Sequence, residues 1–65
     1  MQIFLEFNSS TNNKKILLNV NNIVSFQDEN DETLVTTIDG NNFLIKENIN
    51  KVEEILTFIN KNMKK

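Results

Sequence analysis

The spacing of apolar residues along this chain changes once, at Asn48, and that change limits the fold more than any other feature. Upstream, apolar side chains recur at every second position in short segments. Downstream, Ile49, Val52, Ile55, Leu56, Ile59 and Met63 recur at every third or fourth. A period of two belongs to a strand with one buried face, and a period of 3.6 to a helix with one buried stripe. The order predicts an α+β domain: a four- or five-stranded antiparallel β-meander with one C-terminal amphipathic helix packed on one face.

The segments follow from the same pattern. Met1, Ile3, Leu5 and Phe7 alternate with Gln2, Phe4 and Glu6, predicting a strand over about 2–7 with Phe4 on its second face. Residues 8–15, NSSTNNKK, form a polar, turn-prone stretch that reads as a flexible surface loop. Strands are predicted over 16–20, with Ile16, Leu18 and Val20 on one face and Leu17 on the other, and over 23–27 after a tight turn or bulge at Asn21 and Asn22. The acidic run 28–32 reads as a turn into a strand over 33–38. Asp39-Gly40, with the only glycine, marks a turn into a last strand over 42–46. The helix is predicted over about 49–62. Asn48 or Asn50 can cap it, the latter with Glu53 as a capping box; Glu53 and Glu54 fall in its early turns and Lys61, Lys64 and Lys65 at its end. Nothing divides residues 1–65 into two domains.

Composition narrows the chemistry. The 65 residues include no Cys, His, Tyr, Trp or Arg, and the formal charge is −2. Without Cys or His one chain cannot build a disulfide framework, a thiolate nucleophile, a structural zinc site of the usual ligands or a Ser-His-Asp triad. No cofactor is expected, and an enzyme would have to work with carboxylates alone. A domain of this size buries only about 60% of its unfolded surface, and such domains usually carry a covalent or metal staple. Tight packing or self-association must replace it here. No apolar run approaches the ~20 residues that span a bilayer, and MQIFLEF lacks the basic leader of a secretory signal. A cytoplasmic protein with no membrane insertion is the expectation. Thirteen Asn and seven Lys beside no Arg and no Ala read as the imprint of an AT-rich genome, bacterial or phage, rather than a functional demand.

Four features invite functional readings. The run Asp28, Glu29, Asn30, Asp31, Glu32 offers oxygens to a cation but lacks the spacing of a calcium loop, so it reads as a solvated turn. The loop residues Ser9, Ser10, Thr11, Lys14 and Lys15 combine hydroxyls with ammonium groups, a candidate cradle for a small anionic ligand, with no glycine to bring backbone amides close. Lys61, Lys64 and Lys65 are too few, on an acidic chain, to make a nucleic-acid surface; no nucleic acid is expected. The fourth feature is an excess of apolar residues on the second face of the sheet. If Ile3, Leu5, Phe7, Leu18, Val20 and Phe43 face the helix, then Phe4, Leu17, Val35 and Leu44 project from the opposite side as a protein-interaction patch.

From Asp31 onward, DETLVTTIDGNNFLIKENINKVEEILTFI resembles the FlbD family of very small bacterial flagellar proteins. The resemblance rests on Asp31, Thr33, Val35, Gly40, Ile45, Glu47, Asn48, Ile49 and Val52, and upstream on Leu18-Asn19 and Ile23, within residues 18–59. The long Asn8 to Lys15 loop and the absence of a proline before Asp31 depart from the family pattern. The resemblance implies a non-catalytic flagellar accessory protein and transfers no catalytic residues. Together the readings predict a small, self-associating accessory or adaptor protein acting through protein–protein contacts. The alternative is a phage-encoded accessory protein that sequesters a small anionic ligand, such as a signalling nucleotide, between protomers.

Overall fold

The structure, a computed structural model, describes residues 3–63. Met1, Gln2 of the predicted first strand, Lys64 and Lys65 of the predicted cationic end, and the Asn62 and Met63 side chains lie outside what is described. The elements run β1 (Phe4–Asn8), β2 (Lys15–Asn19), a 3-10 turn (Val20–Asn22), β3 (Ile23–Glu29), β4 (Glu32–Thr37), β5 (Asn42–Ile45) and α1 (Ile49–Met63). The described residues form an α+β fold with five antiparallel strands and one C-terminal helix.

The strands form two sheets rather than one meander, β1-β2 and β3-β4-β5. The break is local. Asn19 accepts a hydrogen bond from Asn21 N on its own side chain at 2.9 Å, which winds Val20–Asn22 into a 3-10 turn instead of letting β2 hairpin directly into β3. The sheets rejoin at a corner beyond β1. Ser9 bridges Ile45, Ser10 N donates to Leu44 O and Lys46 N donates to Asn8 O, the last two at 2.8 Å. Glu47 locks that corner, accepting from Asn8 N at 3.1 Å and from Asn8 Nδ2 at 2.9 Å.

Three hairpin tips carry the positive backbone angles. Gly40, at φ 88°, ends a turn in which Gly40 N donates to Thr37 O and Thr37 N to Asn41 O, both at 2.9 Å. A turn followed by a left-handed residue is a standard way to join two antiparallel strands. Asn13 (φ 60°) and Asn30 (φ 64°) occupy left-handed positions in the other two hairpins. Asn tolerates that region better than other non-glycine residues because its short amide bonds locally. In a chain with one glycine, two of the thirteen asparagines therefore do a structural job that composition alone attributes to drift.

The core is formed by Leu5 and Phe7 of β1, Val35 of β4, Ile45 of β5 and Val52 of α1, ringed by half-buried Ile16, Leu18, Phe26, Phe43, Ile55, Leu56 and Ile59 among others. Phe7 meets Phe26 edge to face, with ring centroids 6.2 Å apart, and so joins the two sheets. Asn48 is the helix cap: its Oδ1 accepts from Lys51 N at 2.9 Å and its backbone oxygen from Val52 N at 3.1 Å. Asn50 is already helical, and no carboxylate falls in the first turn, whereas Lys61 stands in the last. The apolar stripe faces inward as predicted, centred on Val52; Ile55 and Leu56 flank it at partial exposure.

Candidate protein-interaction surface

The four residues predicted to share a second apolar face do not all do so. Val35 is completely buried. Its register partners are Phe26 and Phe43, and residues directly opposite in an antiparallel sheet share a face, so Val35 belongs to the core side. The outward residue of that pair is its neighbour Leu34, which lies opposite Leu44 with both half-buried. Adjacent Leu34 and Val35 leave the phase of β4 ambiguous in sequence. The inward positions around them are threonines, whose buried hydroxyls are satisfied: Thr33 Oγ1 donates to Glu47 O at 2.7 Å and Thr37 Oγ1 donates to Asp39 Oδ1.

Phe4 and Leu17 do project outward, on the face of the β1-β2 sheet turned from the core, at 55% and 60% exposure. They lie on diagonal positions of the ladder, since Phe4 pairs with Asn19 and Glu6 with Leu17. Both line an open groove of about 430 Å³ that runs to the β4-β5 hairpin, where Ile38, 67% exposed, forms the opposite wall. Ile38 was not among the predicted residues. The available signal was a β-branched apolar side chain inside a Thr-Ile-Asp-Gly turn, a position that hairpin geometry usually fills with polar residues.

The polar loop after β1 is tied down rather than free. Ser9 N donates to Lys14 O at 2.8 Å, Asn13 N to Ser9 O at 3.1 Å, Thr11 N to Ser9 Oγ at 3.2 Å and Lys14 N to Asn12 Oδ1 at 3.1 Å. Ser9 is buried beneath it, and Ser10 Oγ donates to Glu32 Oε2. Of the predicted anion-binding residues, Ser9, Thr11, Lys14 and Lys15 line one cleft of about 390 Å³ whose far side is Asn42, Phe43 and Leu44; Ser10 is turned to Glu32 instead. Lys15 Nζ lies 3.5 Å from Glu6 Oε2 in an exposed pair.

The acidic run is also partly strand. β3 continues to Glu29 and β4 begins at Glu32, leaving a two-residue tip at Asn30 and Asp31. Glu32 is engaged with Ser10, and Glu29 accepts from Gln27 Nε2 at 2.9 Å. Among the described residues no three carboxylates converge as a cation site, and no helix is long and apolar enough to cross a membrane. The Thr37 hydroxyl and the Asn41 backbone N–H hold the Asp39 carboxyl below its ordinary value of 3.8. The chain matches no protein-family model, no curated protein and no solved structure.

Proposed function

We propose that this protein is a small, non-catalytic accessory protein that works by associating with copies of itself. The observation that carries the reading is the groove between the β1-β2 sheet and the β4-β5 hairpin, where Phe4, Leu17 and Ile38 each leave more than half their surface in water. Full burial of such a side chain is worth about 1.5 to 3 kcal/mol, so the part still in water contributes about 1 to 2 kcal/mol before the entropy of association is charged against it. A 65-residue chain without disulfide or His/Cys metal site gains stability from such burial that its own core is too small to supply. A bacterial flagellar setting accords with the resemblance of residues 18–59. The test is light scattering on wild type and on Leu17→Glu with Ile38→Glu, which should be folded by circular dichroism yet monomeric. Unchanged mass in the double variant would rule the groove out as the contact.

A second reading has its own support: Ser9, Thr11, Lys14 and Lys15 share one cleft with Phe43. Two ammonium groups beside an aromatic side chain suit a nucleotide, with the phosphate on the lysines and the base near the ring. Calorimetric titration with an adenine nucleotide should then give binding that Lys14→Ala with Lys15→Ala abolishes, and an absence of heat with wild type discards it.

A further inference from the structure

We infer that the second copy docks by strand addition on the outer edge of β2, in a two-fold register centred on Leu17. The inference rests on the self-association proposed above and places its contact on the β1-β2 side of the groove, along Leu17, without calling on Ile38 of the other wall.

The hydrogen-bond phase of the β1-β2 ladder comes first. Ser9 N donates to Lys14 O and Val20 N donates to Ile3 O, at 2.8 and 2.9 Å. In an antiparallel pair the bonded positions alternate. With the register running from Phe4 opposite Asn19 to Asn8 opposite Lys15, Leu5/Leu18 and Phe7/Ile16 are bonded pairs. The N–H and C=O of Lys15 and Leu17 and the N–H of Asn19 therefore turn away from β1, toward an edge on which, among the described residues, the sheet carries no further strand.

With β1 and β5 meeting at the Ser9–Ile45 corner, β2 and β3 are left as the terminal edges of the two sheets, and they are unlike. β3, the free edge of the other sheet, carries a register break between Ile23 and Ser25 and ends in Asp28 and Glu29, both exposed. Breaks in the ladder and charges are how monomeric proteins keep an edge from pairing. Val24 is exposed there, but it sits at the break itself. β2 has neither device over its middle, Ile16-Leu17-Leu18, and its pairing with β1 is regular along all five residues.

Self-complementarity selects a second copy as the occupant. With Leu17 opposite Leu17 of the second copy, Lys15 lies opposite Asn19 and no like charges meet. On the outer face, Phe4 and Leu17 of each copy join into one diagonal apolar stripe. On the inner face, half-buried Ile16 and Leu18 alternate with Leu18 and Ile16 of the second copy, in line with Leu5 and Phe7 behind them. The core face of one copy thus continues into the other, and the unpaired backbone groups of Leu17 bond each other across the axis.

The absence of native cysteine makes the register directly testable. A bonded antiparallel pair places its Cα atoms about 5.5 Å apart, within the range a disulfide spans. Leu17→Cys, at an exposed position, should cross-link to a covalent dimer under mild oxidation, while Asp28→Cys on the β3 edge should stay monomeric on a denaturing gel. Amide exchange supplies the second measurement: the Lys15, Leu17 and Asn19 amides should gain protection as wild-type concentration rises. If wild type associates but Leu17→Cys does not cross-link and these amides stay unprotected, the β2 edge is the wrong surface and the self-association reading survives. A wild type that remains monomeric overturns both.

Discussion

Val52 is the point at which the helix enters the core, and removing part of it measures how much of the fold depends on that contact. The side chain is 1% exposed among Leu5, Phe7, Val35 and Ile45. Val52→Ala deletes two carbons' worth of buried hydrocarbon, about 1.6 kcal/mol at about 0.8 kcal/mol per methylene. The void adds up to about 1 kcal/mol, for roughly 40 to 50 Å³ left unfilled at about 24 cal/mol per Å³. Alanine's better helix propensity returns a few tenths. The expected loss is about 1.5 to 2.5 kcal/mol, a large share of the stability of a domain this size. It corresponds to a fall in Tm of about 6 to 20 °C, at about 4 to 8 °C per kcal/mol. The assay is thermal unfolding by circular dichroism at one fixed protein concentration, with Lys51→Ala, exposed on the same turn, as the control for propensity. Equal midpoints for the two variants would refute helix docking as a main source of stability.

Three further outcomes follow from particular residues. At Gly40 a Cβ would meet nothing within 4 Å, so only the φ of 88° opposes substitution; Gly40→Asn should unfold close to wild type while Gly40→Val loses about 1 to 2 kcal/mol, and equal losses in chemical denaturation would contradict the turn assignment. Asn48→Ala removes the acceptor of Lys51 N and should cost about 1 kcal/mol, whereas Asn50→Ala should be neutral or slightly stabilising; a larger loss at Asn50 would move the cap. Asp39 titrates below its ordinary 3.8 when folded, so its charge stabilises the fold above that value and the contribution disappears as pH falls through the lower folded value. Asp39→Asn should therefore be less stable than wild type at pH 7 and approach it in strong acid, and a gap in melting temperature that does not narrow would contradict the Thr37 and Asn41 contacts.

The change of period at Asn48 was enough to place the helix, because a stripe of large aliphatics needs no partner to reveal its face. The same logic located the inward residues of β1 and β2. It failed at β4, where neighbouring Leu34 and Val35 offered two phases and inward-facing Thr33 and Thr37 hid the right one behind polar side chains that find partners only in the folded chain. It also missed the division into two sheets, which depends on a side-chain bond within Asn19–Asn21 that a hydropathy pattern does not carry. The interaction surface was half legible. Phe4 and Leu17 follow from strand alternation, whereas Ile38 joins them only because the β4-β5 hairpin folds over the same groove. The polar loop concealed most: its sequence signals solvent, yet Ser9 is buried and the segment forms part of the corner that closes the two sheets.

Self-association is the claim on which the functional reading rests, and sedimentation velocity of the wild-type chain addresses it most directly. Across about a hundredfold range around micromolar concentration, where a dimer of moderate affinity is half dissociated, the weight-average coefficient should rise from that of a 7.6 kDa monomer toward that of a larger species. A single monomeric boundary at every concentration would contradict the account, leaving Phe4, Leu17 and Ile38 as solvent-facing residues of a protein that works alone.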